Sequence, residues 1–105
     1  MNTLEVYENI IALCPRIERK GKTVPYTSAN GHMFSFINKD NELGFRFSKE
    51  VQEKYLTKFD TSLFKSHNSI MKGYILIKDD MYNNTNLLVD LLNESYDYVM
   101  SLKSK

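Results

Sequence analysis

The chain has 105 residues, 42% hydrophobic and 26% charged, the balance of one ordinary globular domain rather than a disordered segment. Fourteen basic and thirteen acidic side chains leave a net charge of +1, without the basic excess of a protein that lives on phosphate backbones. No stretch approaches the roughly 18 apolar residues of a membrane span. The opening Met1-Asn2-Thr3-Leu4-Glu5 lacks the basic start and apolar core of a signal peptide, and the lone Cys14 excludes an intrachain disulfide. Together these predict a cytoplasmic protein.

The first helix is predicted from Asn2 as its cap, with Glu5 placed to complete a capping box. Leu4, Tyr7, Ile10, Ile11 and Cys14 fall on one face at helical spacing, and Pro15 ends the run because the residue before a proline is pushed out of the α region. Residues 16–22 are basic and lack a clear period. Val24 to Ser28 reads as a strand that Pro25 restricts to an edge. Asn30-Gly31 suits a two-residue type I′ turn, which needs positive φ at both positions. His32 to Ile37 follows, with Met33, Ser35 and Ile37 predicted on one side and Phe34 and Phe36 on the other. After a polar turn at residues 38–41, Glu42 to Phe47 completes a three-stranded meander.

Ser48 is placed to cap a short helix whose Val51, Tyr55, Leu56 and Phe59 share a face. Thr61 to Lys65 reads as a short strand. Ile70 to Lys78 reads as a longer one, with Ile75 and Ile77 facing opposite to Tyr74 and Leu76. Thr85 or Asn84 caps the last helix, whose stripe is Leu88, Leu91, Leu92, Val99 and Leu102. Ser95 interrupts that stripe, and its hydroxyl is expected to bond back to the carbonyl four residues earlier at a close helix–sheet contact. No repeat or linker divides the chain, so residues 1–105 are expected to form one domain.

No catalytic constellation is visible. Cys14 lies on an apolar helix face with no histidine near it in sequence, so it reads as an inert core thiol. His32 and His67 have no further ligands at metal spacing and read as solvated or capping residues, so neither metal nor cofactor is expected. Asp79-Asp80 reads as a turn, and no phosphate loop or nucleophile elbow is present. The basic run Arg16 to Lys22, joined by Lys65, Lys72 and Lys78, marks a candidate surface in which Arg19, Lys20, Lys22 and Lys72 alternate with Tyr26 and Tyr74. Overall neutrality argues against direct nucleic-acid binding there; a protein partner is expected, and a homodimer with a second copy of the chain is an alternative.

Three stretches together resemble the TfoX/Sxy N-terminal-domain family: Asn30-Gly31-His32-Met33-Phe34, Met71-Lys72-Gly73-Tyr74, and Ser95-Tyr96-Asp97-Tyr98-Val99-Met100-Ser101-Leu102. Their order and spacing span nearly the whole chain. Two positions depart from the family pattern: Lys22-Thr23-Val24-Pro25 stands where members often carry Met-Phe-Gly, and Gly73 where many carry an acid. The resemblance implies a two-layer α+β fold of order α-β-β-β-α-β-β-α, an antiparallel sheet on helices, related in shape to secretion chaperones. Longer relatives regulate competence for DNA uptake and add a helical C-terminal domain. The expected function is therefore a non-enzymatic interaction module, potentially regulatory. The rival is a small-molecule binder or enzyme with a pocket between sheet and helices.

Overall fold

The computed structural model describes residues 2–105. Its order is α1 (Thr3–Ala12), β1 (Tyr26–Ala29), β2 (His32–Ile37), β3 (Leu43–Arg46), α2 (Lys49–Lys58), β4 (Leu63–Ser66), β5 (Ser69–Ile77) and α3 (Thr85–Met100), with a 3₁₀ turn at Asp79–Met81. This is the expected α+β order. Every strand pairing is antiparallel, in the spatial order β1-β2-β3-β5-β4, so β1 and β4 are the edges.

Local chemistry accounts for the boundaries. The Asn2 side chain accepts from the Glu5 N–H at 2.8 Å and caps the helix; the Glu5 carboxylate accepts from the Asn2 side-chain amide at 3.0 Å, in place of the backbone N–H of the expected capping box. Ser48 and Asn84 cap α2 and α3 through the N–H groups of Val51 and Leu87. Asn30 and Gly31 take φ of 57° and 80°, as the two-residue turn requires. The Asn30 amide also reaches the end of α3, donating to the Val99 and Leu102 carbonyls at 3.0 and 2.8 Å. It satisfies carbonyls that the helix cannot, so hairpin and helix end are fastened together.

On α1 the buried face is Thr3, Val6, Tyr7, Ile10 and Ile11, followed by buried Cys14. Leu4, expected on this face, is instead 38% exposed at its margin, and Val6 takes the inward position. The predicted alternation of β2 also fails. Thr27 and Ser28 of β1 face Met33 to Ser35 of β2, so Phe34 is an extra residue, a β-bulge. At the bulge two successive side chains, Phe34 and Ser35, face the same way, and alternation resumes beyond it in the opposite phase. Phe34 and Ile37 join the core under the helices, Ser35 bonds to Tyr7 of α1 at 2.6 Å, and Met33 and Phe36 lie on the outer face.

Ser95 answers this bulge. Its hydroxyl does not bond back along α3; it donates across to the carbonyls of Phe34 at 3.1 Å and Arg46 at 2.5 Å. A bulge leaves a carbonyl outside the ladder, and the small side chain of Ser95 lets α3 sit close enough to serve it. Leu88, Leu91, Leu92 and Val99 flank it, all at most 3% exposed, with Leu102 packed at the margin.

The outer face carries a second cluster. Phe36, Phe64 and Tyr74 are 6%, 1% and 3% exposed, and Phe36 meets Phe64 edge-on at 5.1 Å between centroids. They are covered by the sheet's own curl. Gly73, at φ 84°, sits where β5 shifts register against β4, from Lys65↔Ile70 to Leu63↔Ile75. That bend folds β4 inward, so that the Phe64 ring lies on Gly44; a Cβ there would stand 2.6 Å from the ring. The Asn38 amide then donates to the Lys65 carbonyl at 2.9 Å, tying the β2–β3 turn to the far edge strand.

Leu91→Ala and Leu92→Ala should each lower the unfolding free energy by about 2–5 kcal/mol, as buried large-to-small changes do. Ser95→Ala removes almost no volume but takes away the one hydroxyl hydrogen that the Phe34 and Arg46 carbonyls share, and should cost about 1–3 kcal/mol. Urea denaturation measures all three; an unchanged midpoint for Ser95→Ala would show that the hydroxyl does not clamp the helix to the sheet.

Candidate interaction surface

The space between sheet and helices is filled. Tyr7, Ile10, Phe34, Leu43, Phe45, Phe47, Ile75, Ile77, Leu88 and Leu92 are all buried there, each at most 1% exposed. Its polar groups are partnered: the Tyr7 hydroxyl bonds to Ser35, Ser35 to Thr27, and Ser95 to the two strand carbonyls. The centre of this interface is close-packed, and at its margin a cavity of about 380 Å³ lies between Thr3 of α1, Leu76 and Ile77 of β5, and Tyr82. Among the described residues no group of His, Cys, Asp and Glu is arranged to hold a metal, and no helix is long and apolar enough to cross a membrane.

Cys14 is 1% exposed, its thiol accepting from the Asn93 amide at 3.6 Å. Burial pushes the thiol up, against the Asn93 hydrogen bond and the Arg16 charge, so little of it is thiolate near neutral pH. His32 is buried and its Nε2 donates to the Lys103 carbonyl at 2.8 Å, a capping role; His67 is exposed in the β4–β5 turn at φ 52°.

The predicted basic and aromatic surface is divided. Lys20 and Tyr26 are joined by an antiparallel bridge at the β1 edge, with Lys22 exposed beside them. Arg19 donates to the Gly21 carbonyl at 2.6 Å and lies 3.9 Å from the Glu8 carboxylate, so it is partly engaged within the fold. Arg16 belongs to the helix layer: it pairs with Asp97 at 2.9 Å and lies 4.5 Å from the centre of the Tyr96 ring. Lys72 is exposed on β5, with β2 and β3 lying between it and β1 in the sheet order. Tyr74 is a correction: its ring is buried under the curled sheet and its hydroxyl donates to the Met33 carbonyl at 3.0 Å, so it presents no stacking face.

What the geometry does present is the outer side of the sheet. Tyr26, Met33, Met71 and Leu76 surround the Phe36–Phe64–Tyr74 cluster and are themselves only half-buried. Where the curl stops short of closing, a cleft of about 440 Å³ opens over Phe36, between the residues leading into β1 (Thr23 to Pro25) and the β4–β5 turn (Ser66, His67). Leu4, the helical residue that missed the core, and Val24, 50% exposed, form its apolar wall; Lys39 and His67 also line it. Sequence periodicity could not place this cleft, since it depends on the Gly73 bend. Nothing in the sequence marks it, since Leu4 reads there as a core residue of the first helix and Val24 as part of an edge strand. No protein-family model matches the chain, and no curated protein matches it.

Two expectations are measurable. Cys14 should react slowly with a thiol reagent in the native protein and quickly once it is unfolded; rapid native labelling would show an accessible thiolate. Burial raises the Tyr7 hydroxyl to about 12, and burial with the hydrogen bond to Glu94 raises Tyr55 to about 12, from the ordinary 10.0. Unfolded tyrosines ionise first, so the stability these groups contribute is full below pH 10 and lost as pH rises toward 12. Alkaline unfolding followed by tyrosinate absorbance should fall in that window, and Tyr55→Phe should flatten its pH dependence.

Proposed function

We propose that this chain is a non-enzymatic interaction module of the TfoX/Sxy N-terminal-domain type, serving a regulatory assembly, and that it meets its partner through the outer side of its sheet. The observation that carries this reading is the contrast between the two faces. The helix face is filled and its polar groups are partnered, whereas the outer face keeps Tyr26, Met33, Met71 and Leu76 half-exposed around a buried aromatic centre. Partly exposed apolar groups around a rigid centre are what an interface needs, and methionines adapt to the partner's shape.

The resemblance supports the same reading. The residues that carry it include Asn30 and Ser95, which hold the hairpin and the helix–sheet clamp. A shape related to secretion chaperones belongs to this proposal, as does a cytoplasmic address, which the single buried thiol fits. Against the rival, a small-molecule site between sheet and helices, stands the dense packing of that layer.

The test is partner capture on immobilised protein, comparing the wild type with Met71→Glu on the outer face and Asp90→Lys on the exposed side of α3. Capture should fall at least about tenfold with Met71→Glu, at an unchanged melting temperature, and persist with Asp90→Lys. Equal capture by all three, or loss confined to Asp90→Lys, would sink the proposal.

A further inference from the structure

The net charge of +1 is the sum of two opposed halves. Residues 19–39 and 61–78 contain seven of the fourteen lysines and arginines, both histidines, and none of the thirteen acidic residues. These two stretches build β1, β2, β4 and β5, together with the segment leading into β1. The opposite sign is carried by α3, where Asp90, Glu94 and Asp97 stand without a single basic residue. The molecule measures 35 × 29 × 28 Å. Screening at physiological salt acts over about 8 Å, so the two sides do not cancel for an approaching partner.

Much of this positive charge is free. Among the described residues, Lys22, Lys39, Lys65 and Lys72 have exposed side chains in neither an ion pair nor a side-chain hydrogen bond, and Lys20 makes one bond, to the Ser28 hydroxyl at 3.1 Å. The placement of several is set by pairing. Lys20 lies opposite Tyr26 and Ser28 opposite Met33, which puts the Lys20 stem on the outer side; Lys39 and His67 line the cleft whose floor is Phe36. The cleft therefore combines an apolar floor and wall with an unpaired cation, and its 440 Å³ is within the range at which pockets hold a compact group.

We infer that the outer side of the sheet docks an acidic segment of a protein partner, which places one large apolar side chain in the cleft over Phe36 and its carboxylates on the surrounding lysines. This rests on the interaction-module reading and adds the partner's chemistry to it. Carboxylates are favoured because the exposed Lys20, Lys22, Lys39, Lys65 and Lys72 outnumber the acidic side chains beside them, Asp40 and Glu42 of the β2–β3 turn, and Glu42 already accepts from the Asn38 amide at 3.0 Å. A nucleic-acid strand fits less well. Sheets that read single strands stack bases on exposed rings, and here Phe36, Phe64 and Tyr74 are buried, leaving only the half-buried Tyr26. Six of the seven basic residues are lysines, and the one arginine, Arg19, is already held by the Gly21 carbonyl, so the bidentate fork that recognises phosphate is lacking.

The experiment selects binders from a random peptide library on the full chain, then measures the winners by fluorescence anisotropy alongside an oligothymidylate of similar length. The inference expects enriched peptides rich in Asp and Glu around at least one Leu, Ile, Met or Phe. They should bind Lys20→Glu/Lys39→Glu/Lys72→Glu about tenfold or more weakly, and lose affinity as salt is raised. All three lysines are exposed, so the variant should keep its fold, and circular dichroism checks this. In amide chemical-shift mapping, the strongest shifts should fall at Val24, Phe36, Lys39 and His67. Neutral or basic winners, no enrichment, or tighter binding of the oligothymidylate would overturn the inference. Neutral winners that are nonetheless lost with Met71→Glu would leave the outer-face reading standing while removing the acidic partner.

Discussion

One extra residue in β2 organises this molecule. With Phe34 bulged against β1, the strand turns Phe34, Ser35 and Ile37 toward the helices and Met33 and Phe36 away from them. A regular strand would have placed Phe34 and Phe36 on the same face, starving one layer of an aromatic side chain. The bulge frees the Phe34 carbonyl, and Ser95 fits because its side chain is small enough for α3 to approach and polar enough to answer that carbonyl. Helix position, core composition and the content of the outer face follow from this one irregularity.

The second irregularity, at Gly73, acts on the other side of the sheet. Its positive φ and the register shift between β4 and β5 bend the far hairpin over the outer face, and the bare backbone of Gly44 gives Phe64 its seat. Phe36, Phe64 and Tyr74 thus become a small core of their own, without a helix to cover them. The curl does not close completely. The cleft over Phe36 is the remaining gap, flanked by the segment before β1 and the β4–β5 turn.

The two faces divide the labour by their chemistry. The helix layer holds the larger core, with its hydroxyl network satisfied internally. The sheet layer holds half-exposed methionines, an apolar cleft and the exposed Lys22, Lys39, Lys65 and Lys72. A net charge near zero is then a poor guide to partners, because the basic runs in residues 19–39 and 61–78 and the carboxylates of α3 lie on different elements.

What the sequence determined by itself was everything set by neighbours along the chain. Capping residues Asn2, Ser48 and Asn84, the Asn30-Gly31 turn, the stripe of α3 and the alternation of Ile75 and Ile77 against Tyr74 and Leu76 all act within a few residues. The run of charge in residues 19–39 and 61–78 was also legible there, but a single sum over the chain conceals it. Tertiary structure alone decided the rest. Periodicity assumes a regular strand, so it could not foresee the Phe34 bulge, and with it the partners of Ser95 and the division of the phenylalanines. Nor could it tell that Tyr74 would be roofed over while Leu4 and Val24 were left at a cleft, since both outcomes arise from a bend that brings β4 back across strands distant in sequence.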